Sequence, residues 1–403
     1  MKTARNENTW CVNPYMNLDI HPSGMVKPCC MSTLEYVTDT GLTRLNQASI
    51  QSFWNSRSRY SMIEKLNSGI KLKECNSCWH EEQAGKESKR IRDNRSYQDR
   101  NLDPSMTPIV LALSLGNLCN IKCRICSPVH STPWMAEEAQ IQFKEHSKLY
   151  YQNPKWKSFK ESFDSNNTFV WEDLNELLKD VEKMDFAGGE PFYIDNHWKI
   201  VKYCVDQNLS KKQYIHYNTN GTIFPEKYID YLKEFEVVDI QISSDGLKEK
   251  FEYLRHPAKW DLVEENLKKF IEVSKKHSNW IIGICYSLSA FNVFDFFETF
   301  EYYADLNLPI YVNIVHDHRG VRILPDKVKE ILINRLKNQN SIHHQKIWQK
   351  ERDMVCSHLE NSTFDKIAWD NFINNVNITD NFRNESFRIT FPDYFEILKS
   401  YIK

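Results

Sequence analysis

The stretch LSLGNLCNIKCRICSP, residues 113–128, decides the fold, because it joins an apolar run to a group of cysteines. Cys119, Cys123 and Cys126 stand in a C-x3-C-x2-C spacing directly after the apolar run 109–115. Three thiolates on one loop can hold three irons of a 4Fe–4S cube and leave the fourth iron open to a small chelating ligand. Zinc is the alternative, but it usually takes a fourth Cys or His nearby, for which His130 is the candidate.

Six short apolar runs, of which 109–115 is the first, predict the strands of one sheet. The other runs lie at 183–188, 213–218, 237–243, 280–288 and 309–315. Amphipathic segments between them predict helices at 198–207, 225–234, 262–277 and 293–306. Strands joined by helical crossovers form a parallel sheet, so the predicted fold class is α/β, a partial (β/α)6 barrel of the TIM type. Chemistry is then expected at the carboxyl ends of the strands.

The rest of the chain divides around this predicted barrel domain, residues 108–325. Its segment 127–180 is long for a crossover and rich in aromatic and charged residues, which predicts a helical insertion. Residues 326–403 have helical periodicity and predict a C-terminal lobe of three or four helices. Residues 1–85 predict a small N-terminal domain with a helix near 50–66. The polar residues 86–107 predict a linker or a solvated helix, with a phosphate-binding patch as the alternative.

The composition excludes several classes of protein. The chain has 52 Lys and Arg against 54 Asp and Glu, so no global positive field is available to hold nucleic acid or an anionic membrane. Its best apolar window, near 280–290, is shorter than the roughly 18 residues that cross a bilayer, and its start lacks the apolar core of a secretory signal. We therefore expect a soluble cytoplasmic protein whose eleven cysteines are reduced and available for metal binding or catalysis.

Glycine-rich and polar motifs follow later predicted strands. DFAGGEPF contains Gly188, Gly189 and Glu190; the glycines let the backbone approach a ligand, and Glu190 can accept a hydrogen bond from an ammonium group. The motifs YNTNG, QISSDG and EYLRHPAKW supply the remaining candidates, Thr219, Asn220, Ser243, Asp245 and Arg255. Alone, each of these motifs is typical of a turn or a surface helix. Because they follow predicted strands, they are expected at the carboxyl end of the sheet.

The order of these motifs resembles that of the radical S-adenosylmethionine (SAM) superfamily over residues 108–325. The resemblance implies that the cysteine triplet binds a 4Fe–4S cluster, and that the open iron binds the amino and carboxylate groups of SAM. An electron from the cluster would then cleave SAM to methionine and a 5′-deoxyadenosyl radical. Glu190 would contact the SAM amino group and Arg255 the carboxylate. The aromatic residue that the family carries before the third cysteine is Ile125 here, which weakens stacking on adenine more than cluster binding.

The N-terminal cysteines form a second group, at Cys11, Cys29, Cys30, Cys75 and Cys78. By spacing alone, four soft ligands in a small domain suit zinc and an iron–sulfur cluster equally well. The segments LDIHPSGMVKPCC, SFWNS and KECNSCW resemble a half-SPASM domain of the twitch type over residues 10–82, which implies an auxiliary 4Fe–4S cluster held by Cys11, Cys29, Cys75 and Cys78. Adjacent residues of an extended segment point to opposite sides, so Cys30 is expected to be surplus. In most relatives this domain follows the barrel, whereas here it precedes it.

The resemblance implies an enzyme that abstracts a hydrogen atom from its substrate. By analogy with relatives that carry auxiliary clusters, we expect a peptide or protein substrate, with radical oxidation or cyclisation of a sugar or nucleotide as the alternative. A non-enzymatic electron carrier or redox sensor is a further alternative, but such a protein has no use for Glu190 beside an open iron. A reducing partner such as flavodoxin or ferredoxin is expected. His316 and His318, after the sixth strand, are candidates to face the substrate, although such a pair is more often structural.

Overall fold

The computed structural model describes residues 6–83, 85, 87–143 and 168–402. The strands are β1 (Asn17–Ile20), β2 (Val26–Lys27), β3 (Val110–Leu113), β4 (Lys183–Phe186), β5 (Tyr214–Thr219), β6 (Val237–Ser243), β7 (Trp280–Leu288) and β8 (Ile310–Ile314). The helices up to the middle of the chain are α1 (Asn13–Met16), α2 (Ile50–Trp54), α3 (Arg57–Asn67), α4 (Asn76–Gln83), α5 (Lys89–Ser96), α6 (Thr132–Phe143), α7 (Thr168–Leu177) and α8 (Asp195–Asp206). The later helices are α9 (Ile229–Leu232), α10 (Lys248–Leu254), α11 (Trp260–Lys276), α12 (Phe296–Asp305), α13 (Asp326–Asn338), α14 (Gln345–Glu360), α15 (Lys366–Arg383), α16 (Phe387–Thr390) and α17 (Pro392–Leu398). No helix in the described ranges combines the length and apolar character that a bilayer crossing requires.

Among the described residues, eight strands form one sheet in the order β2-β1-β3-β4-β5-β6-β7-β8. Strands β1, β3, β4 and β5 run parallel to one another, β7 runs parallel to β8, and β2 is antiparallel to β1. Five of the six predicted strand runs contain the strands β3, β4, β6, β7 and β8, and the run 213–218 overlaps β5, which ends one residue later. The predicted α/β fold class with a parallel sheet is therefore confirmed.

Strand β1 of the N-terminal segment pairs directly with β3, which the sequence did not predict. The pairing is parallel and runs from Asn17 opposite Val110 to Ile20 opposite Leu113. The hairpin β1–β2 therefore extends the parallel sheet by two strands at its β3 edge. The domain boundaries drawn from the sequence remain predictions.

The helix expected near 50–66 is interrupted and forms α2 and α3. Ser56 lies between them with extended backbone, and its hydroxyl accepts a hydrogen bond from the Arg59 amide at 3.4 Å, which begins α3. The buried Arg59 side chain donates to Pro14 O at 2.8 Å and lies 3.8 Å from the centre of the Trp54 ring. A serine cap starts a new helix within one apolar periodicity, so the periodicity alone did not reveal the break.

The segment 86–107 contains α5, which is held by buried contacts. Arg90 is 6% exposed, pairs with Glu82 at 2.6 Å and donates to Trp10 O at 2.8 Å. A buried guanidinium group needs such partners, and they attach the helix to the N-terminal residues. Residues 89–96 thus form a helix whose one buried arginine holds it to its neighbours, and the role of residues 86–107 as a linker stays a prediction.

By packing, the chain forms two compact units, each described here by itself. The first unit comprises Met1–Asn120, Pro128–Tyr217 and Pro225–Asp239, and the second comprises Ile121–Ser127, Asn218–Phe224 and Ile240–Lys403. In the first unit, Trp10, Val12 and Met16 belong to an apolar cluster that also contains Val110 of β3. The predicted insertion 127–180 includes α6 and α7, and its residues 144–167 lie outside the described part of the chain.

The core of the second unit continues from the sheet into the C-terminal helices. Leu288 of β7 and Val312 of β8 share a buried apolar cluster with Trp348 of α14 and Trp369 of α15. The helical periodicity beyond residue 326 corresponds to the long helices α13, α14 and α15 and the short α16 and α17. These helices complete the core that β7 and β8 begin.

Candidate active site

Four of the five N-terminal cysteines line one cavity in the first unit. Cys11 precedes α1, and Cys29 follows β2. Cys75 ends the short turn just before α4, and Cys78 lies in the first turn of α4. The empty space inside the lining is ≈ 390 Å³, including its opening to solvent. The other lining residues are Asn13, Pro14, Pro28, Met31, Ser32, Met62, Leu66, Trp79, Lys89 and Arg90. The structure thus brings together the four residues that the sequence grouped as ligands.

The surroundings of these thiols suit a metal cluster bound by thiolates, because cationic and N–H donor groups lie beside the sulfurs. Burial raises the pKa of Cys11 to about 12 and that of Cys75 to about 11, so both are protonated near neutral pH unless a metal replaces the proton. The Asn13 side-chain amide donates to Cys11 Sγ at 3.7 Å, and the Lys89 ammonium lies in the same wall. Within the described part of the chain, no three His, Cys, Asp or Glu side chains converge closely enough for a single metal ion. What the four thiols share is the cavity, with soft ligands of the kind that iron–sulfur clusters take.

Cys29 and its neighbour Cys30 differ in position. Cys29 is buried and lines the cavity, whereas Cys30 is exposed and is not part of the lining. The two residues lie just after β2, where the chain turns and the Ser32 amide donates to Cys29 O at 3.2 Å. The assignment of Cys29 as a ligand and Cys30 as surplus stays a prediction that this placement favours.

The DFAGGEPF motif packs against the backbone just before the first cysteine of the triplet. Gly188 and Gly189 have φ of +77° and +60°, and a Cβ on Gly189 would overlap Leu118 O. The Glu190 amide donates to the same Leu118 carbonyl at 2.9 Å. Only glycine tolerates this close approach, so the pair fixes the motif beside Cys119. Glu190 is 1% exposed, and one of its carboxylate oxygens accepts from the Phe192 amide at 3.2 Å.

In the second unit, Arg255 lies beside the second cysteine of the triplet. Its guanidinium group contacts Cys123 Sγ at 3.8 Å and pairs with the Asp245 carboxylate at 2.7 Å. Arg255 is 6% exposed, so it is not the surface charge that a lone arginine on a helix would suggest. Its Nε is buried and has no hydrogen-bond partner among the described residues, which leaves a cationic donor for a ligand. Burial raises the pKa of Asp245, although the Arg255 charge opposes that shift.

The other predicted pocket residues are partly occupied by local hydrogen bonds. Thr219 Oγ1 accepts from the Gly221 amide at 3.2 Å, and Asn220 Oδ1 accepts from the Thr222 amide at 2.9 Å. These bonds shape the turn after β5. Ser243 is half-buried at the end of β6.

Arg124, between the second and third cysteines, anchors the loop 121–127 and was missed by sequence reasoning. Its guanidinium group donates to Asp380 at 2.5 Å and to Glu385 at 2.6 Å, and it lies 3.6 Å from the centre of the Tyr253 ring. The Arg124 amide also donates to Leu254 O at 2.7 Å. Arg124 is one variable position of the C-x3-C-x2-C pattern, so nothing in the spacing marks it.

A second arginine, Arg319, holds the same loop from the segment after β8. It donates to Cys126 O at 2.5 Å and pairs with Asp317. Both histidines that flank Asp317, His316 and His318, are exposed. The sequence analysis did not identify Arg319, the residue after His318, which makes the contact with the cysteine loop.

Comparison with known protein families assigns the two groups of cysteines to two different domains. Residues 113–286 match the model of the radical SAM superfamily, and residues 11–79 match that of SPASM, an iron–sulfur cluster-binding domain. The chain carries a radical SAM domain preceded by a SPASM-type iron–sulfur domain. Its cofactors follow from these domains: a 4Fe–4S cluster with SAM for the first, and auxiliary iron–sulfur for the second.

Individual relatives of this radical SAM protein are distant. GTP 3′,8-cyclase of Synechocystis sp. is 24% identical over 160 residues, which is 39% of this chain and 40% of that protein. The chain thus matches about two fifths of the length of this curated relative. Among solved structures, anSMEcpe with bound AdoMet and Cp18Cys peptide is 16% identical with a TM-score of 0.36, over 57% of this chain and 58% of that one. SuiB of Streptococcus suis bound to precursor peptide SuiA is 14% identical with a TM-score of 0.37, over 84% of this chain and 70% of that one.

Proposed function

We propose that this radical SAM protein cleaves SAM reductively and abstracts a hydrogen atom from a peptide or protein substrate. The observation that carries the proposal is the cavity lined by Cys11, Cys29, Cys75 and Cys78, in a chain that also bears the three-cysteine loop. Three thiolates leave one iron open for SAM, whereas four complete an auxiliary cluster. Two metal groups with different ligand counts support a reaction that moves electrons as well as a hydrogen atom.

Cys119, Cys123 and Cys126 are the proposed ligands of the SAM-binding cluster. When bound, the cluster and SAM supply the electron and the 5′-deoxyadenosyl radical. Glu190 accepts a hydrogen bond from the SAM ammonium group, because it is the buried carboxylate that Gly188 and Gly189 hold beside Leu118. The cation of Arg255 attracts the SAM carboxylate.

The polar residues at and just after the ends of β5 and β6 form the remaining part of the proposed SAM pocket. Asp245 acts through Arg255, since their ion pair at 2.7 Å fixes the direction of the guanidinium group. The Asp245 carboxylate also accepts from the Ser287 amide at 2.8 Å, which holds it in place. Thr219, Asn220 and Ser243 complete the proposed SAM pocket. A reducing partner such as flavodoxin or ferredoxin is required to supply the electron.

The first experiment measures 5′-deoxyadenosine formed by the anaerobically reconstituted protein with dithionite and SAM, without substrate. Slow formation is expected. Glu190→Gln should weaken SAM binding about tenfold, because it removes a charge-assisted hydrogen bond. The exposed Glu226 supplies the matched control, and Glu226→Gln should bind SAM as the unmodified protein does. Unchanged SAM affinity in Glu190→Gln, with the visible cluster spectrum intact, would remove Glu190 from the SAM site.

A nucleotide substrate is the second candidate, and the named curated relative, a GTP 3′,8-cyclase, supports it. The same reduced protein separates the two classes. Incubation in D2O with a peptide library or with GTP, followed by mass spectrometry, identifies the class whose addition accelerates 5′-deoxyadenosine formation and yields a changed substrate mass. Acceleration by GTP alone would replace the peptide proposal.

A further inference from the structure

One face of the sheet in the first unit carries ionisable side chains. Asp19 of β1 lies opposite Ala112 of β3, which lies opposite Asp185 of β4, which in turn lies opposite His216 of β5. Residues directly opposite in neighbouring strands point to the same face. The four side chains therefore form one row across four strands.

The other face of these strands is an apolar core. Phe186 and Tyr217, the next residues along β4 and β5, stack at 5.4 Å, and the Phe186 ring meets His197 of α8 at 4.6 Å. A parallel sheet is normally covered by apolar side chains on both faces. Here the ionisable row is partly open, since the side chains of Asp185 and His216 are 25% and 20% exposed. The polar face is therefore suited to a ligand rather than to a core.

Most ionic groups on and next to this face are paired. Asp185 pairs with Lys183 at 3.1 Å, and His216 with Asp239 at 2.9 Å. In α5, Lys89 pairs with Asp93 at 2.8 Å. These pairs neutralise their own charges, although Asp185 Oδ1 has no hydrogen-bond partner among the described residues.

Asp19 and Lys27, in contrast to these pairs, form no ion pair. They lie opposite each other across the antiparallel β1–β2 pair, yet they form no ion pair, and neither side chain has a hydrogen-bond partner among the described residues. Asp19 is 8% exposed, and Lys27 is half-buried. Burial, with Asp185 adding to it, raises the pKa of Asp19 to about 6, although Lys27 and Lys89 oppose the shift. The Asp19 carboxylate has no hydrogen-bond donor among the described residues, so a group that supplies a donor binds favourably.

We propose that Asp19 and Lys27 bind the main chain of an extended peptide segment of the substrate. The N–H of one substrate residue donates to the Asp19 carboxylate, and the C=O of that residue accepts from the Lys27 ammonium group. In an extended segment, the N–H and C=O of one residue point to the same side, which is how strands are recognised by main-chain hydrogen bonds. The methyl side chain of Ala112, next in the row, leaves room beside Asp19.

The charges of the pair favour this ligand over a single ion. One unpaired carboxylate and one unpaired ammonium group sum to zero, so a neutral group with both a donor and an acceptor satisfies both without leaving a net charge. A cationic side chain would satisfy Asp19 alone, and an anionic one Lys27 alone. The inference rests on the proposed peptide substrate and adds the residues that recognise it.

The test uses the reconstituted holoenzyme with SAM and the uncharged probe N-acetyl-trialanine amide, whose binding is titrated by saturation-transfer NMR. Butylammonium and butyrate serve as single-ion probes. Asp19→Asn and Lys27→Gln should each weaken binding of the tripeptide at least fivefold. Asp99→Asn and Lys65→Gln change the same residue types at exposed positions and should leave binding unchanged. Lys27→Gln alters a half-buried side chain on an edge strand, so it reports on the site even where Asp19→Asn alters folding.

Equal tripeptide binding by all variants would overturn the inference. Binding of butylammonium that needs Asp19 but not Lys27, without tripeptide binding, would make the site one for amines and would also overturn it. Butyrate binding that needs only Lys27 would do the same. Formation of 5′-deoxyadenosine by the unmodified holoenzyme is measured on the same preparations. Its absence would contradict the proposed function, whereas its presence without tripeptide binding would contradict only this inference.

Discussion

The two groups of cysteines lie in different surroundings. The N-terminal cavity offers four thiols within a wall that combines Met62, Leu66 and Trp79 with the cations Lys89 and Arg90. In the loop 121–127, Arg255 lies against Cys123, and Arg124 and Arg319 hold the loop backbone. A complete set of thiolates needs a cavity that encloses the cluster, with no group to attract a further ligand. An incomplete set needs charged groups that fix the loop and attract the ligand that completes it.

The largest expected effect comes from removing the incomplete set. Replacing Cys119, Cys123 and Cys126 together by Ala should lower the iron content from roughly eight to roughly four per chain and abolish formation of 5′-deoxyadenosine, since two 4Fe–4S clusters become one. Iron analysis and chromatography of the reaction products measure both. Full iron retention in the triple variant, or stoichiometric zinc in place of the remaining iron, would show that the two cysteine groups are not two cluster sites.

The second prediction tests the complete set with adjacent residues. Cys29→Ala opens one ligand position of the cavity, so the auxiliary cluster should lose iron or change its paramagnetic resonance signal. Cys30→Ala removes an exposed thiol outside the cavity lining and should keep both clusters. Recording the spectra in the background of the triple variant isolates the auxiliary cluster. A cluster ligated on all four irons has no open position for substrate, so we propose that the auxiliary cluster transfers electrons. If substrate changes the signal by direct ligation, the cavity holds an open cluster and this proposal is wrong.

The third prediction concerns the charges that fix the loop. Arg124→Ala leaves the Asp380 and Glu385 carboxylates without their shared guanidinium group, and the broken buried ion pairs should destabilise the protein by about 3 kcal/mol. Arg124→Lys keeps the charge but cannot bridge both carboxylates in the same way, so an intermediate loss is expected. Denaturant unfolding of the cluster-free protein measures the free energy. The control is the exposed Arg57, whose variant Arg57→Ala should cost less than about 1 kcal/mol. Equal stability of the Arg124 and Arg57 variants would contradict the anchoring role.

The smallest effect is the pH dependence of this anchor. Burial alone would raise the pKa of Glu385, but its hydrogen bonds to His256 and Arg124 dominate and hold the pKa below its usual value. A lowered pKa in the folded state means stability that is present above the unfolded pKa and is lost as pH falls through the folded pKa. Glu385→Gln should therefore flatten the decline of the thermal midpoint below about pH 4.5, where carboxylates titrate. An unchanged slope would show that the pairing of Glu385 contributes nothing to acid stability.

Local sequence patterns were sufficient to predict the strands β3 to β8 and the cysteine type of the metal ligands. Each strand from β3 to β8 lies within a short apolar run, apart from the last residue of β5, because the apolar period and the turn residues act over neighbouring positions. The same holds for the triplet, where three cysteines within eight residues already imply an incomplete ligand set. Local patterns did not reveal that Arg90 in the segment 89–96 is buried. Its partners Glu82 and Trp10 O lie outside the segment, so the segment alone has the pattern of a solvated helix.

By itself, the sequence determined the α/β fold class and the two cysteine groups, since both depend on spacings of a few residues, and its ordered motifs carried the resemblance to the radical SAM superfamily. Only the tertiary structure decided that β1 joins the sheet beside β3, that Arg255 lies against Cys123, and that Arg124 reaches Asp380 and Glu385. The partners of Arg124 lie 256 and 261 residues away along the chain. Contacts at such separations depend on how whole elements pack around a core, and no local period records that packing.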